Sequence, residues 1–177
     1  MNPINPTHHT PPIFQWNCHG ISSKKDALLQ LGDQFDILAL SETWLTPDKT
    51  FLLKDYYILR KDEPSNKSGG VLLAIRNSIP YCKLDPIFSL DGILEAIGIK
   101  IPSLRKDIYI LSIYRHSLNS PPSLWEELFN SIPTPGQIIV TGDFNAHYSS
   151  WGCKRSDPMG ISLLNSSQDY SLSLCRQ

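Results

Sequence analysis

The run Ile13–Leu40 reads IFQWNCHGISSKKDALLQLGDQFDILAL. Ile13–Asn17 is a short apolar run ending on a polar residue, the pattern of a buried strand. Ser22 and Ser23 can N-cap a helix running to about Phe35, with Ala27, Leu28 and Leu31 on one face. Asp36–Leu40 (DILAL) is again apolar and too short for a helix, so it reads as an inner strand. A strand, a helix and a second strand in this order predict a parallel pair joined by a crossover.

The same reading extends along the chain. Strands are expected at Tyr56–Leu59, at Gly70–Ile75 after a loose turn over Ser65–Gly69, at Pro80–Leu84, and at Asp107–Tyr114. In Leu94–Ile101 the alternation places Glu95, Ile97, Ile99 and Ile101 on one side. Ser120-Pro121-Pro122 opens a helix, with proline in a first turn where a missing N–H costs nothing. Leu124, Trp125, Leu128 and Phe129 form its apolar face. Ile138–Thr141 is another inner strand, Gly160 to about Ser167 a helix, and Leu172–Cys175 a last strand. Helices alternating with runs of paired strands predict two packed sheets covered by helices rather than a plain doubly wound sheet. Met1–Pro12 has four prolines and no periodicity, and reads as a disordered tail preceding one domain over 13–177. His8 and His9 lie in that tail with no carboxylate or thiol beside them, and read as solvated.

Composition excludes several classes. With 19% charged residues and a formal net charge of -1, the chain is neither a charged disordered polymer nor a histone-like basic protein. A local basic face built from Lys24, Lys25, Arg76 or Arg115 stays open. The four cysteines, Cys18, Cys82, Cys153 and Cys175, are too far apart for zinc-ligand spacing. No stretch reads as a signal peptide or a membrane span. A reduced, soluble, intracellular protein without a membrane partner is expected.

The chemistry collects at strand ends. Asn17 follows IFQW, Glu42 follows ILALS, Tyr114 closes IYILSIY, and Asp143 with Asn145 follows IIVTG. An apolar strand fixes the backbone, and a polar residue at its end projects from the rim where such folds place binding groups. Glu42 and Asp143 are hard oxygen donors of the kind Mg²⁺ takes, usually one or two carboxylates with the remaining positions left to water. Asn17 and Asn145 can orient a phosphate. Taken singly, each has a plain structural explanation: a solvated carboxylate, an Asx turn, or a buried tyrosine with a satisfied hydroxyl. Together, four strands ending in the same kind of residue are harder to dismiss.

Trp16-Asn17-Cys18-His19-Gly20, Ser41-Glu42-Thr43-Trp44, Ser112-Ile113-Tyr114-Arg115 and Gly142-Asp143-Phe144-Asn145-Ala146-His147, in this order, resemble the endonuclease/exonuclease/phosphatase superfamily. Glu42-Thr43-Trp44-Leu45, Gly69-Gly70-Val71, Leu94-Glu95-Ala96-Ile97 and Trp151-Gly152 look like the apurinic-endonuclease-like domain of jockey-type non-LTR retrotransposon polyproteins. The resemblance spans about Ile13–Cys175. It implies a DNase I-like four-layer α/β sandwich of two mixed sheets flanked by helices. It implies a Mg²⁺-dependent endonuclease, with Mn²⁺ as an alternative cofactor, that nicks one strand of double-stranded DNA. It also implies a monomer, a reverse transcriptase domain in the full-length parent, and nuclear action after synthesis in the cytoplasm. Glu42 would be the principal metal ligand, with Asn17 organising it. Asp143 would position or deprotonate the attacking water, Asn145 would hold the scissile phosphate, and Tyr114 would donate its hydroxyl to a phosphate oxygen. His147 receives no catalytic role, Ser149 and Trp151 read as loop and packing residues, and Glu95 as a polar contact beneath the site.

One family motif has no counterpart. The family carries Ser-Asp-His, whose histidine is an acid/base at the phosphate, and these 177 residues contain no such tripeptide. Loss of a general acid/base costs ~10²–10⁴ in rate. The expectation is therefore impaired hydrolysis by a domain lacking its last strands. The alternatives are a catalytically inactive retroelement fragment that at most binds DNA, and an inositol-phosphate or lipid phosphatase.

Overall fold

The computed structural model describes residues 10–32, 34–62, 68–85, 87–116 and 119–173. Eight strands and three helices follow one another as β1 (Ile13–Asn17), α1 (Lys25–Leu31), β2 (Ile37–Ser41), β3 (Tyr56–Lys61), β4 (Val71–Arg76), β5 (Cys82–Leu84), β6 (Leu94–Ile101), β7 (Ile108–Arg115), α2 (Leu124–Asn130), β8 (Gln137–Asp143) and α3 (Pro158–Asp169). The strands form two four-stranded mixed sheets, ordered β1-β2-β4-β3 and β5-β6-β7-β8. β1 and β2 are parallel with α1 as their crossover, and β7 and β8 are parallel with α2 between them. The remaining pairings are antiparallel.

The period-2 alternation of the strands sorts their side chains into three apolar layers. Ile37, Ala39, Leu73 and Ile75 of the first sheet meet Ile97, Ile99, Ile108 and Ile110 of the second, filling the space between the sheets. The opposite face of the first sheet, Leu38, Leu40, Leu72 and Ala74, packs against Ile21, Leu28 and Leu53. The opposite face of the second, Leu111 and Ile113, packs against Leu124, Trp125, Leu128 and Phe129 of α2 and Met159 and Leu163 of α3. The result is the four-layer sandwich of the DNase I-like class. Trp125 is fully buried, and its Nε1–H donates to the carbonyl of Met159 at 3.1 Å, so its one polar atom is satisfied while it ties α2 to α3.

Some local expectations are revised. α1 is two turns long, from Lys25 to Leu31, and Lys24 precedes it with no side-chain cap, so neither Ser22 nor Ser23 serves as one. α3 begins at Pro158, two residues before Gly160, because Asp157 accepts from the Gly160 N–H and Pro158 occupies the first turn. Leu172 and Ser173 are not in a strand; the Leu172 N–H donates to the Ser167 carbonyl, closing the end of α3. The rest of that expected strand, residues 1–9 of the expected tail, and Ser65–Lys67 of the expected turn lie outside the described residues. Among the described residues no helix is long and apolar enough to cross a membrane.

Candidate active site

The site lies where the gap between the two sheets changes from apolar to polar. In the second sheet Glu95, Tyr114 and Asp143 stand directly opposite one another across β6, β7 and β8, so their side chains share one face, the face toward the first sheet. In the first sheet Asn17 pairs with Ser41, and Glu42 follows immediately. Asn17 joins the two halves: its Nδ2 donates to Glu42 Oε1 at 2.8 Å and to Asp143 Oδ2 at 2.8 Å. One amide thus holds a carboxylate from each sheet.

Several residues around this site hold left-handed backbone. Glu42 has φ 50°, Asn145 φ 43° and His19 φ 44°, all left-handed positions that cost free energy and cluster at functional sites. The Glu42 segment is held from both sides. Gly20 and Ile21 N–H groups donate to the Glu42 and Thr43 carbonyls, and Thr43 and Trp44 N–H groups donate to Gly70 and Gly69. Gly70 must be glycine: it has φ 87°, and a Cβ there would sit 2.3 Å from Thr43 Oγ1. At the other strand end, Gly142 has φ 137° and a Cβ would lie 1.9 Å from the Ile113 carbonyl oxygen, so β8 can press against β7 just before Asp143.

The structure places the expected site residues as follows. Asn17, Glu42 and Asp143 are joined by direct hydrogen bonds. Tyr114 is buried beside them, and its phenol is raised well above the ordinary tyrosine value, first by burial and then by the carboxylates of Glu42, Asp143 and Glu95. It is therefore a neutral hydroxyl donor at any physiological pH. Asn145 is adjacent: its N–H donates to Asp143 Oδ1 at 3.0 Å, and its Nδ2 donates to the Arg115 carbonyl at 2.6 Å. Glu95 makes the contact expected beneath the site, accepting from the Gly70 N–H at 2.6 Å and thereby binding the second sheet to the first. His147 pairs through Nδ1 with Asp157 Oδ2 at 2.7 Å.

Two histidines in the site were not anticipated. His19 Nδ1 lies 2.7 Å from Glu42 Oε2, and His116 Nε2 lies 2.8 Å from Glu95 Oε1, with the His116 ring edge-on to Tyr114 at 4.7 Å. Each follows a strand-end site residue by two positions, Asn17 and Tyr114 respectively, and that spacing was the available signal.

The sequence profile of the Endonuclease/Exonuclease/phosphatase family matches residues 14–173. The chain belongs to this family. A probable RNA-directed DNA polymerase from transposon X-element of Drosophila melanogaster is 28% identical over 163 residues, covering 86% of this chain and 17% of the relative. The RNA-directed DNA polymerase from mobile element jockey, also of Drosophila melanogaster, is 25% identical over 160 residues, covering 87% and 17%. The chain thus spans about a sixth of the length of these relatives. Among solved structures, the endonuclease domain of TRAS1, a telomere-specific non-LTR retrotransposon, superposes with a TM-score of 0.74 at 16% identity, covering 95% of this chain and 76% of that one. The AP endonuclease LMAP from Leishmania major superposes with a TM-score of 0.61 at 17% identity, covering 88% and 65%. The structural likenesses establish the DNase I-like sandwich fold.

Proposed function

We propose that this domain hydrolyses phosphodiester bonds with Mg²⁺, nicking one strand of double-stranded DNA as the endonuclease of a jockey-type non-LTR element. The observation that carries the reading is the Asn17 amide, 2.8 Å from both Glu42 and Asp143, beside a neutral Tyr114 hydroxyl. Glu42 and Asp143 are hard oxygen donors that fit Mg²⁺ and also Mn²⁺, with the His19 imidazole 2.7 Å from Glu42 Oε2 beside them. Glu42 would hold the ion, with Asn17 organising it, and when bound the ion supplies neutralisation of the phosphate's charge.

The protein's own groups supply the rest. Asp143 is fixed by Asn17 on one oxygen and by the Asn145 N–H on the other, so its carboxylate is oriented to accept a proton from an attacking water. Tyr114 can donate its O–H to a phosphate oxygen without ionising. Asn145 keeps a second Nδ2 hydrogen beyond the one spent on Arg115, and that hydrogen is available to the scissile phosphate. One such donor is worth ~10²–10³ in rate. These 177 residues hold no Ser-Asp-His, so we expect slow turnover from them alone. A reverse transcriptase domain in the same parent polypeptide and action in the nucleus complete the reading.

The test is single-turnover nicking of supercoiled plasmid by excess protein with Mg²⁺. Asp143→Ala should lower the rate at least ~10²-fold. Nicking that survives both Asp143→Ala and chelation would overturn the proposal.

A further inference from the structure

A second cleft opens beside the site, about 670 Å³ in volume and lined by Arg115, Asn145, His147, Lys154, Arg155 and Asp157 among others. It shares Asn145 with the candidate active site. It begins at Arg115, the residue after Tyr114. We propose that this cleft holds a second phosphate of the DNA strand, adjacent to the phosphate that is cut. This rests on the nuclease reading above.

Charge is the first support. Arg115, Lys154 and Arg155 bring three cations against the one Asp157 carboxylate, in a chain whose net charge is -1. Lys154 and Arg155 are exposed and form no ion pair among the described residues. A pair of free cations concentrated in a concave wall attracts an anion more strongly than the same charges on a convex surface.

Arg115 is the second and independent support. It is only 4% exposed. Its Nη1 donates to the His116 carbonyl at 2.7 Å, and its buried Nε–H has no partner among the described residues. A buried guanidinium with a donor unspent is costly, ordinarily ~1–3 kcal/mol or more. A phosphate seated in the cleft would offset the charge of this buried guanidinium.

The cleft is also built in advance. Asp157 caps α3 through the Gly160 N–H at 2.7 Å, and accepts from the N–H of His147 at 3.2 Å and from its Nδ1 at 2.7 Å. The Asp157 N–H in turn donates to the His147 carbonyl. A Cβ on Gly160 would lie 1.9 Å from that carbonyl, so glycine allows the helix end to approach. Asp157 is thereby used up in holding the wall, and its carboxyl stays below the usual range because these hydrogen bonds outweigh its burial. The cations are left for the ligand. Contiguity through Asn145 identifies the ligand as the strand already lying in the site.

Fluorescence anisotropy with a labelled duplex in EDTA, over a salt series, tests this. One phosphate contact contributes about 0.9 to the slope of log K against log salt, which is about 8-fold in affinity at 0.1 M. The Lys154→Gln/Arg155→Gln variant should lose about that much in both, with an unchanged unfolding temperature, while Lys106→Gln should leave both unaltered. A neutral methylphosphonate at one position beside the scissile phosphate should erase the difference between the unaltered chain and the double variant. An unchanged slope in the double variant, or no such position, overturns the cleft assignment and leaves the nuclease reading standing. Protection of only the unaltered chain by inorganic phosphate, without a slope difference on duplex, assigns the cleft to a free anion and also overturns it. No duplex binding by the unaltered chain would overturn both readings.

Discussion

Asn17→Ala removes the side chain that joins the two sheets at the site. Its Nδ2 makes two hydrogen bonds to carboxylates, each 2.8 Å long. A hydrogen bond to a charged group is worth ~1.5–3 kcal/mol when it cannot be replaced. Asn17 is half-buried, so water recovers part of that, and the expected loss is about 2–3 kcal/mol. The two oxygens lie at most twice 2.8 Å apart, a separation at which two unit charges repel by roughly 3 kcal/mol at an effective dielectric of ~20. Without the amide this repulsion is unrelieved. For a chain of this size 1 kcal/mol is about 2–4 °C, so the unfolding temperature should fall by about 5–10 °C. Asn17→Asp puts a third carboxylate in the same place and should fall further, with more of its loss recovered by Mg²⁺ than in Asn17→Ala. Thermal and urea unfolding, with and without Mg²⁺, measure all of this. An Asn17→Ala chain within about 0.5 kcal/mol of the unaltered one, below the range usual for losing a single such bond, would refute the reasoning, as would an Asn17→Asp chain no less stable than Asn17→Ala.

Glu42→Gln should weaken Mg²⁺ binding measured by calorimetry at least ~10-fold; unchanged affinity would mean the ion is held elsewhere. Burial, with the carboxylates of Glu42 and Asp143, raises the folded-state pKa of Tyr114, so the folded chain holds this proton more tightly than the unfolded one. Its contribution to stability is complete below the ordinary tyrosine value of ~10 and is lost as pH rises above it, and Tyr114→Phe should remove that part of the alkaline loss seen in unfolding curves. The Cys18 thiol, buried and pushed up to about 12, should resist iodoacetamide at pH 8 while the exposed Cys82 is alkylated; equal labelling of the two would contradict the packing of the loop after β1. Gly142→Ala forces a Cβ against the Ile113 carbonyl oxygen at a left-handed position and should cost more than ~3 kcal/mol, read by urea unfolding.

The strand ends were legible because β1, β2, β7 and β8 are short apolar runs, and a buried strand must end where its apolar run ends. The ends of these runs put Asn17, Glu42, Tyr114 and Asp143 at or beside strand termini. The apolar face of α2 was legible for the same reason, since Leu124, Trp125, Leu128 and Phe129 keep helical spacing and all four are buried. Pairing order was not legible. That β4 inserts between β2 and β3, and which strands belong to which of the two expected sheets, depends on contacts distant in sequence. The end of α1 and the start of the expected last strand differ where propensity is weak and a local bond decides, as with the Leu172 N–H closing onto Ser167. The pairing of His19 with Glu42 and of His116 with Glu95 depends on turns beyond the strands, where a left-handed φ at His19 sets the direction of the side chain. The Arg115 cleft needs α3 to return to the end of β7, which no spacing within either segment announces.

The most direct measurement of the central claim is the Mg²⁺-dependent conversion of supercoiled plasmid to open circles by an excess of this chain, followed over hours beside Asp143→Ala. The account predicts slow nicking that requires Mg²⁺ or Mn²⁺ and disappears with Asp143→Ala. A plasmid left intact at every metal concentration, or nicked equally by the Asp143→Ala chain, would contradict it.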